Sequence, residues 1–249
     1  MRVVLMMSRV TYVPENYASL MAACLHVPGV EVVGLLLVDN RSLRVGLQGL
    51  GLMLAGAPRT GAALLRNMLF RDSRERLAGV RHIPLWKTQD PNGADALAWL
   101  SSLQPDLVLH LRTRSILRPE FLAIPRLGCV NVHHGILPEY RGTLCDLRAL
   151  VQGRRGGFSI HAMIPAVDKG SVFARTEVAD AEECARNYQT YLRLSAEKEI
   201  LAVTSFLAGI AETGALPPPL KIPEGMESAW YRTPGAKEIR MWRKQGWKL

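Results

Sequence analysis

Apolar residues along the chain gather into short continuous runs separated by stretches of helical spacing, as when strands buried on both faces alternate with amphipathic helices. The runs at 2–7 and 30–38 predict two such strands. Between them, Leu20, Met21, Cys24 and Leu25 align on one face of a helix over 15–26. Further strands are predicted at 106–111 and 129–133, after a helix over 94–103 that aligns Leu97, Leu100 and Leu103. A short helix over 144–152, strands at 158–164 and 172–178, and a long helix from about 188 to 211 follow. In that last element Leu192, Leu194, Ile200, Leu201, Val203, Phe206 and Leu207 recur at helical intervals, and Gly214 stands where the helix should stop. Alternation of this kind predicts one α/β domain over 1–215, built on a mainly parallel sheet. The run Pro217-Pro218-Pro219 breaks regular structure, leaving 216–249 as an extended basic tail. No internal repeat is visible.

One stretch exceeds a minimal α/β domain. Residues 41–82 form an Arg-rich insertion whose part from 45 to 70 is dense in Leu, Gly and Ala, with Pro58 dividing it into two helices. The main expectation is a helical insertion packed on the sheet edge; a lid, or a surface lying on anionic lipid, is the alternative.

Composition narrows the class. Nearly half of the 249 residues are apolar and 21% are charged, as in an ordinary globular enzyme. The N-terminal run has no cleavage site of small residues and no stretch is long and apolar enough to span a membrane, so the cytoplasm is the expected location. Cys24, Cys129, Cys145 and Cys184 are scattered without ligand-like spacing, which predicts reduced thiols and no metal site. The net charge of +9 raises a nucleic-acid partner. Neither the Arg-rich insertion nor the basic tail contains a nucleic-acid module, and the expectation is against one.

Chemistry concentrates in Gly128-Cys-Val-Asn-Val-His-His-Gly-Ile-Leu-Pro-Glu-Tyr-Arg-Gly142. Alternation puts Asn131 and His133 on one side at the carboxyl end of a strand, where open α/β sheets bind ligands. An amide and an imidazole there can donate to the oxyanion of a tetrahedral intermediate. The turn Val167-Asp168-Lys169-Gly170 would return a carboxylate to the same edge, to orient the imidazole or collect a proton through water. From the residues alone a structural role stays open, since Asn-x-His closes many strands and Asp-Lys-Gly is an ordinary turn.

Taken together, Asn131-x-His133, Leu137-Pro138-x-Tyr140-Arg141-Gly142 and Val167-Asp168-x-Gly170, with Pro125-Arg126-Leu127-Gly128 upstream, resemble the folate-dependent formyltransferase family. The resemblance covers roughly 105–178. It implies a Rossmann-like fold and a catalytic set of Asn131, His133 and Asp168. The donor co-substrate would be 10-formyltetrahydrofolate, held near Leu109, Arg112, Arg114, Ile116, Val167 and Gly170. His134, Tyr140, Arg141 and Gly142 would lie beside the acceptor or behind the reacting groups. The acceptor implied is a primary amine of a small molecule, such as an amino-sugar nucleotide or a specialised metabolite, with neither metal nor covalent intermediate.

Three departures refine this picture. The first strand leads into Ser8-Arg9-Val10-Thr11-Tyr12 rather than a glycine-rich phosphate loop. The chain stops at Leu249, short of the C-terminal barrel with which the tRNA-formylating members hold tRNA. His134 doubles the histidine as in the hydrolases of the family, so formate release is the competing activity, with a non-catalytic membrane-surface scaffold behind it. His26, His82, His110 and His161 are expected as surface or core groups, the last two having some chance of lining the pocket. A membrane partner is not the favoured reading, and oligomeric state is left open.

Overall fold

A computed structural model describes the whole chain except Arg114 and Glu224, and the side chain of Pro14. The strands are β1 Arg2–Ser8, β2 Glu31–Val38, β3 Leu85–Thr88, β4 Leu107–Leu111, β5 Cys129–His133, β6 Tyr140–Gly142, β7 Gly156–Ala162, β8 Val172–Ala179 and β9 Ala229–Tyr231. The helices are α1 Ala18–Cys24, α2 Leu43–Ala55, α3 Pro58–Leu69, α4 Ser73–Val80, α5 Ala94–Ser102, α6 Pro119–Leu122, α7 Cys145–Val151, α8 Tyr188–Thr213 and α9 Ala236–Lys244.

The main sheet runs β3-β2-β1-β4-β5-β7-β8. Its first five strands pair in parallel, whereas β7 and β8 join antiparallel. Helices cover both faces, giving the expected Rossmann-like architecture. Within β4 and β5 the pleat divides the side chains. Leu109, Leu111, Val130 and Val132 enter the larger core with α1 and α8. Val108 and Cys129 enter a second core with Leu100 of α5 and Phe121 of α6. Because His110, Asn131 and His133 follow Val108 and Cys129 at intervals of two, they share this second face at the carboxyl edge.

Helix α8 is the main buttress. Tyr188, Tyr191, Leu192, Val203, Leu207 and Ile210 are buried on one stripe, each large apolar side chain contributing about 1.5–3 kcal/mol. Asn187 caps its start by accepting from the Gln189 N–H at 3.1 Å, and Gly214 closes it with φ of 72°.

The segment 41–82 folds as three helices, with α2 and α3 breaking at Pro58 as the sequence indicates. These two cross closely: a Cβ on Gly61 would stand 2.5 Å from the Gly49 carbonyl oxygen. Beneath them α4 is tied to β1 by an ion cluster. Asp72 meets Arg74 at 2.6 Å and Arg9 at 3.1 Å, with all three side chains buried. Burial alone would raise the Asp72 carboxyl, but Arg74 and Arg9 hold it below its ordinary value.

Residues 216–249 differ from the extended tail the sequence suggests. Here β9 pairs in parallel with β6, and α9 buries Ile239 and Trp242. Trp247 and Leu249 are buried too, and Tyr188 N–H donates to the Lys248 carbonyl at 2.9 Å. Ile239 and Trp242, spaced by three in α9, face the core together, and Arg148 covers Trp242 with its guanidinium 5.1 Å from the ring centre.

Candidate active site

A cavity of about 830 Å3 opens over the carboxyl ends of β1, β4 and β5. His110, Asn131, His133, His161 and Asp168 stand together in its wall. Sheet register explains the grouping: His110 pairs with Asn131 across β4–β5, and Asn131 with His161 across β5–β7.

Their hydrogen bonds run in one direction. The Asn131 carbonyl oxygen accepts from His110 Nδ1 at 2.7 Å, which puts the proton on Nδ1 and leaves Nε2 to accept from the Thr113 hydroxyl at 2.5 Å. The Asn131 amide donates to His161 Nε2 at 3.0 Å, and His161 Nδ1 donates to the Ala162 carbonyl at 2.8 Å. His161 must stay neutral for this chain to close, since its Nε2 accepts from the Asn131 amide. Burial lowers the His110 pKa, and burial with repulsion from His133 takes that of His161 down to about 4. Asn131 is thereby locked from both ends, with one amide hydrogen outside these bonds.

His133 donates from Nε2 to the Tyr140 carbonyl at 2.8 Å, while its Nδ1 lies 3.5 Å from Asp168 Oδ1. Both ring nitrogens thus face oxygens, the Nε2 contact at ordinary hydrogen-bond length and the Nδ1 contact longer than one. Asp168 has φ of 54°, a left-handed backbone that Asp tolerates better than most residues. Its other oxygen accepts from Gly142 N–H at 3.0 Å, and its Oδ1 lies 3.8 Å from His161 Nε2. Gly142 sits at φ of 105°, where a Cβ would stand 2.2 Å from the Tyr231 carbonyl oxygen.

His134 points to the opposite face. Its Nε2 lies 2.8 Å from the Tyr17 hydroxyl and 3.0 Å from Glu199 of α8. Arg112 joins this network, donating to Tyr17 at 2.6 Å and Tyr12 at 2.9 Å and meeting Asp146 at 3.3 Å. Burial would raise the Glu199 carboxyl, yet His134 and Arg112 outweigh it and hold it down. Burial, then Arg112, lowers His134.

The other expected site residues divide. Ile116, Val167 and Gly142 line the cavity, as do Arg112 and His134 despite their commitments below it. Leu109 is corrected: the pleat turns it into the α8-side core, and it is fully buried there. Gly170 lies outside the lining; a Cβ there would stand 1.8 Å from the Ala162 carbonyl oxygen, so glycine lets this turn press against β7. Tyr140 serves through its carbonyl while its hydroxyl donates to Gln152, and Arg141 is likewise outside the lining. Arg114 lies outside the described residues. His110 and His161, expected as surface or core groups with a chance of the pocket, are buried in its wall.

Among the described residues no group of three or more His, Cys, Asp or Glu is arranged to hold a metal, and no helix is long and apolar enough to cross a membrane.

The sequence model described as "Formyl transferase" matches residues 69–204, more than half the chain and the part carrying this cluster. The protein belongs to the formyl transferase family. It is 33% identical over 104 residues to the methionyl-tRNA formyltransferase of Thermotoga maritima, a match covering 41% of this chain and 33% of that protein. It is 33% identical over 138 residues to the enzyme of the same name from Pseudomonas putida, covering 55% of this chain and 44% of the other. The matches thus span less than half the length of these relatives. Among solved structures, phosphoribosylglycinamide formyltransferase from Anaplasma phagocytophilum superposes with a TM-score of 0.62 at 15% identity, covering 93% of this chain and 97% of that one. A sugar N-formyltransferase from a Shewanella species gives 0.58 at 15% identity, covering 93% and 76%. At such identities these likenesses speak for the fold alone.

Proposed function

We propose that the protein transfers a formyl group from 10-formyltetrahydrofolate to the primary amine of a small molecule, with Asn131, His133 and Asp168 acting on the reacting atoms. The observation that carries this reading is the remaining Asn131 amide hydrogen, fixed between His110 and His161 at the cavity wall beside the His133–Asp168 pair. The amine nitrogen attacks the formyl carbon, and the carbonyl electrons move onto oxygen. Asn131 stabilises that oxyanion with its remaining amide hydrogen, as a preorganised donor does without further reorganisation, and His133 adds a second donor when Nδ1, 3.5 Å from Asp168, carries a proton. Asp168 collects the proton released by the amine, directly or through water. A proton returns to the nitrogen of the departing folate as its bond to carbon breaks, so the pair ends as it began.

The donor fits one half of the cavity. Leu117, Leu122, Met163, Ile164 and Val167 provide an apolar slot beside Thr113 and Asp168, suited to a flat heterocycle with polar edges. Hydrolysis to formate is the competing outcome. The second imidazole that suggested it, His134, has Nε2 engaged by Tyr17 and Glu199 below the cavity, which removes its particular support.

The test is to incubate the protein with 10-formyltetrahydrofolate and a panel of amines, and to seek the mass gain of one carbonyl by mass spectrometry. Donor consumption that needs an amine supports transfer. Equal formate release without any amine overturns it.

A further inference from the structure

The half of the cavity away from the donor slot offers no unpaired cationic side chain among its described residues. Four of the backbone amides after β1, where a phosphate cradle would lie, are already taken: Arg9 N donates to Val38 O, Val10 N to Asn40, Thr11 N to Asn16 and Val13 N to Thr11. Apart from the histidines, the only cation among the described lining residues is Arg112, which is bound to Tyr12, Tyr17 and Asp146.

What lines this half instead is apolar. Helix α2 presents Val45, Gln48, Leu52 and Ala55 inward, α3 presents Leu64, and Leu144, Leu147, Ile239, Trp242 and Leu249 complete the wall. The opposite face of α2 points out with Leu43, Leu47, Leu50 and Leu54, all at least half exposed, and exposed Arg41, Arg44, Arg59 and Arg66 flank it without one acidic residue from 41 to 71. A helix apolar on both faces, with arginines alongside, suits a route for an apolar chain from an anionic surface into the protein.

We propose that the acceptor is a primary amine carrying a long apolar chain, which lies in the compartment walled by α2, α3 and α9 while its amine reaches Asn131 and His133. This deepens the formyl-transfer reading and replaces the amino-sugar nucleotide as its preferred acceptor, because a diphosphate would find no unpaired cationic side chain there among the described residues. The chemistry is the same whether the amine arrives as a soluble amphiphile or from a lipid bilayer, so both sources enter the test.

Binding is read first, without donor, from the fluorescence of the cavity tryptophans Trp230 and Trp242 on titration with butylamine, octylamine and dodecylamine below their micellar concentrations. Affinity should rise by about fourfold per methylene, the gain expected for burying each CH2 group. Formyl transfer is then measured with the same amines in buffer, with dodecylamine in anionic phosphatidylglycerol vesicles, and with an amino-sugar nucleotide. Gly51 lines the cavity with nothing within 4 Å of its Cβ position, so Gly51→Ala, Gly51→Leu and Gly51→Trp add side-chain volume stepwise at the cavity wall. Chain affinity should fall in that order, by tenfold or more for Trp, while thermal midpoints hold or rise as glycine leaves a helix.

Chain-length-dependent binding without formylated product would retain this inference and defeat the formyl-transfer reading. Affinity independent of chain length, or preferred formylation of the amino-sugar nucleotide, would overturn the inference and leave formyl transfer standing. Faster transfer from vesicles than from buffer identifies the bilayer as the source, and the reverse identifies the soluble amphiphile; the chain assignment is upheld in either case.

Discussion

The stretch 69–204 and the two segments flanking it divide the molecule by kind of work. The middle carries the family match, the His110–Asn131–His161 relay and the His133–Asp168 pair. The flanks carry Val10, Tyr12, α2, most of α3, β9 and α9, which wall the rest of the cavity. In the middle, side chains are set by sheet register and closed hydrogen bonds, so their chemistry tolerates little change. In the flanks the wall is apolar packing, which accepts many sequences of suitable volume. The difference teaches that likeness to relatives in the middle speaks for the reaction and says little about the acceptor.

If the flanks are structural partners of the middle, removing their main anchor should cost most. Trp242 is buried between Arg148 and the core. Trp242→Ala should destabilise the protein by about 3–5 kcal/mol in urea unfolding, as aromatic truncations in cores do. A loss below about 1 kcal/mol would show α9 to be an appendage and break the comparison.

The middle should fail differently. Asn131→Ala and His133→Ala should each lower kcat by about 10²–10³-fold with small change in acceptor KM, the pattern for losing a donor that acts mainly in the transition state. Steady-state kinetics would decide it. Near-normal kcat in either variant would remove that residue from the chemistry.

Legibility in the sequence follows the same division. Long strands and helices were readable because their periodicity is sustained; β4, β5, α5 and α8 fall within two residues of the expected bounds. The four-residue β3 was missed, being too short to show a period, and β6 and β9 pair only with each other. The tail misled because Ile239, Trp242, Trp247 and Leu249 are few among cations, and their burial depends on partners far along the chain. His110 and His161 were underrated for a related reason: their role appears only when strand register sets them on either side of Asn131. That lateral order could have been reached by aligning the predicted strand ends, since His110, Asn131 and His161 each lie near one. The apolar character of the acceptor wall was not legible, because which face of α2 points inward is settled by the Gly49–Gly61 crossing.

The relay also predicts a pH dependence of stability. His110, His134 and His161 are held neutral, so below about pH 6.5 the unfolded chain binds protons that the folded chain refuses. Their stabilisation is fully present above that value and is lost as the pH falls, for His161 down to about 4. Within the window each such histidine should contribute a slope of about 1.4 kcal/mol per pH unit. His161→Gln should flatten the unfolding free energy measured between these limits; an unchanged slope would mean that His161 is charged in the folded protein, and the directed hydrogen-bond chain would then be wrong.

The smallest effect sharpens the contrast most. Arg66 is exposed on α3 and absent from the cavity lining, close in sequence to Leu64, which lines it. Were the flanks to recognise a phosphate-bearing acceptor through their arginines, Arg66→Glu would raise KM many-fold, because a cation would become a repelling anion. An apolar acceptor meets the inner faces of α2 and α3 instead, so Arg66→Glu should leave KM for soluble octylamine within about twofold, as exposed substitutions leave nearby cores. With the amine embedded in anionic vesicles, the same variant should slow transfer by a few-fold at low salt and lose that deficit as salt screens the surface. Steady-state assays of one variant against both presentations separate the two interpretations. A large salt-sensitive loss on the soluble amine would return the arginines to the acceptor site, and the flanks would then bind charge rather than a chain.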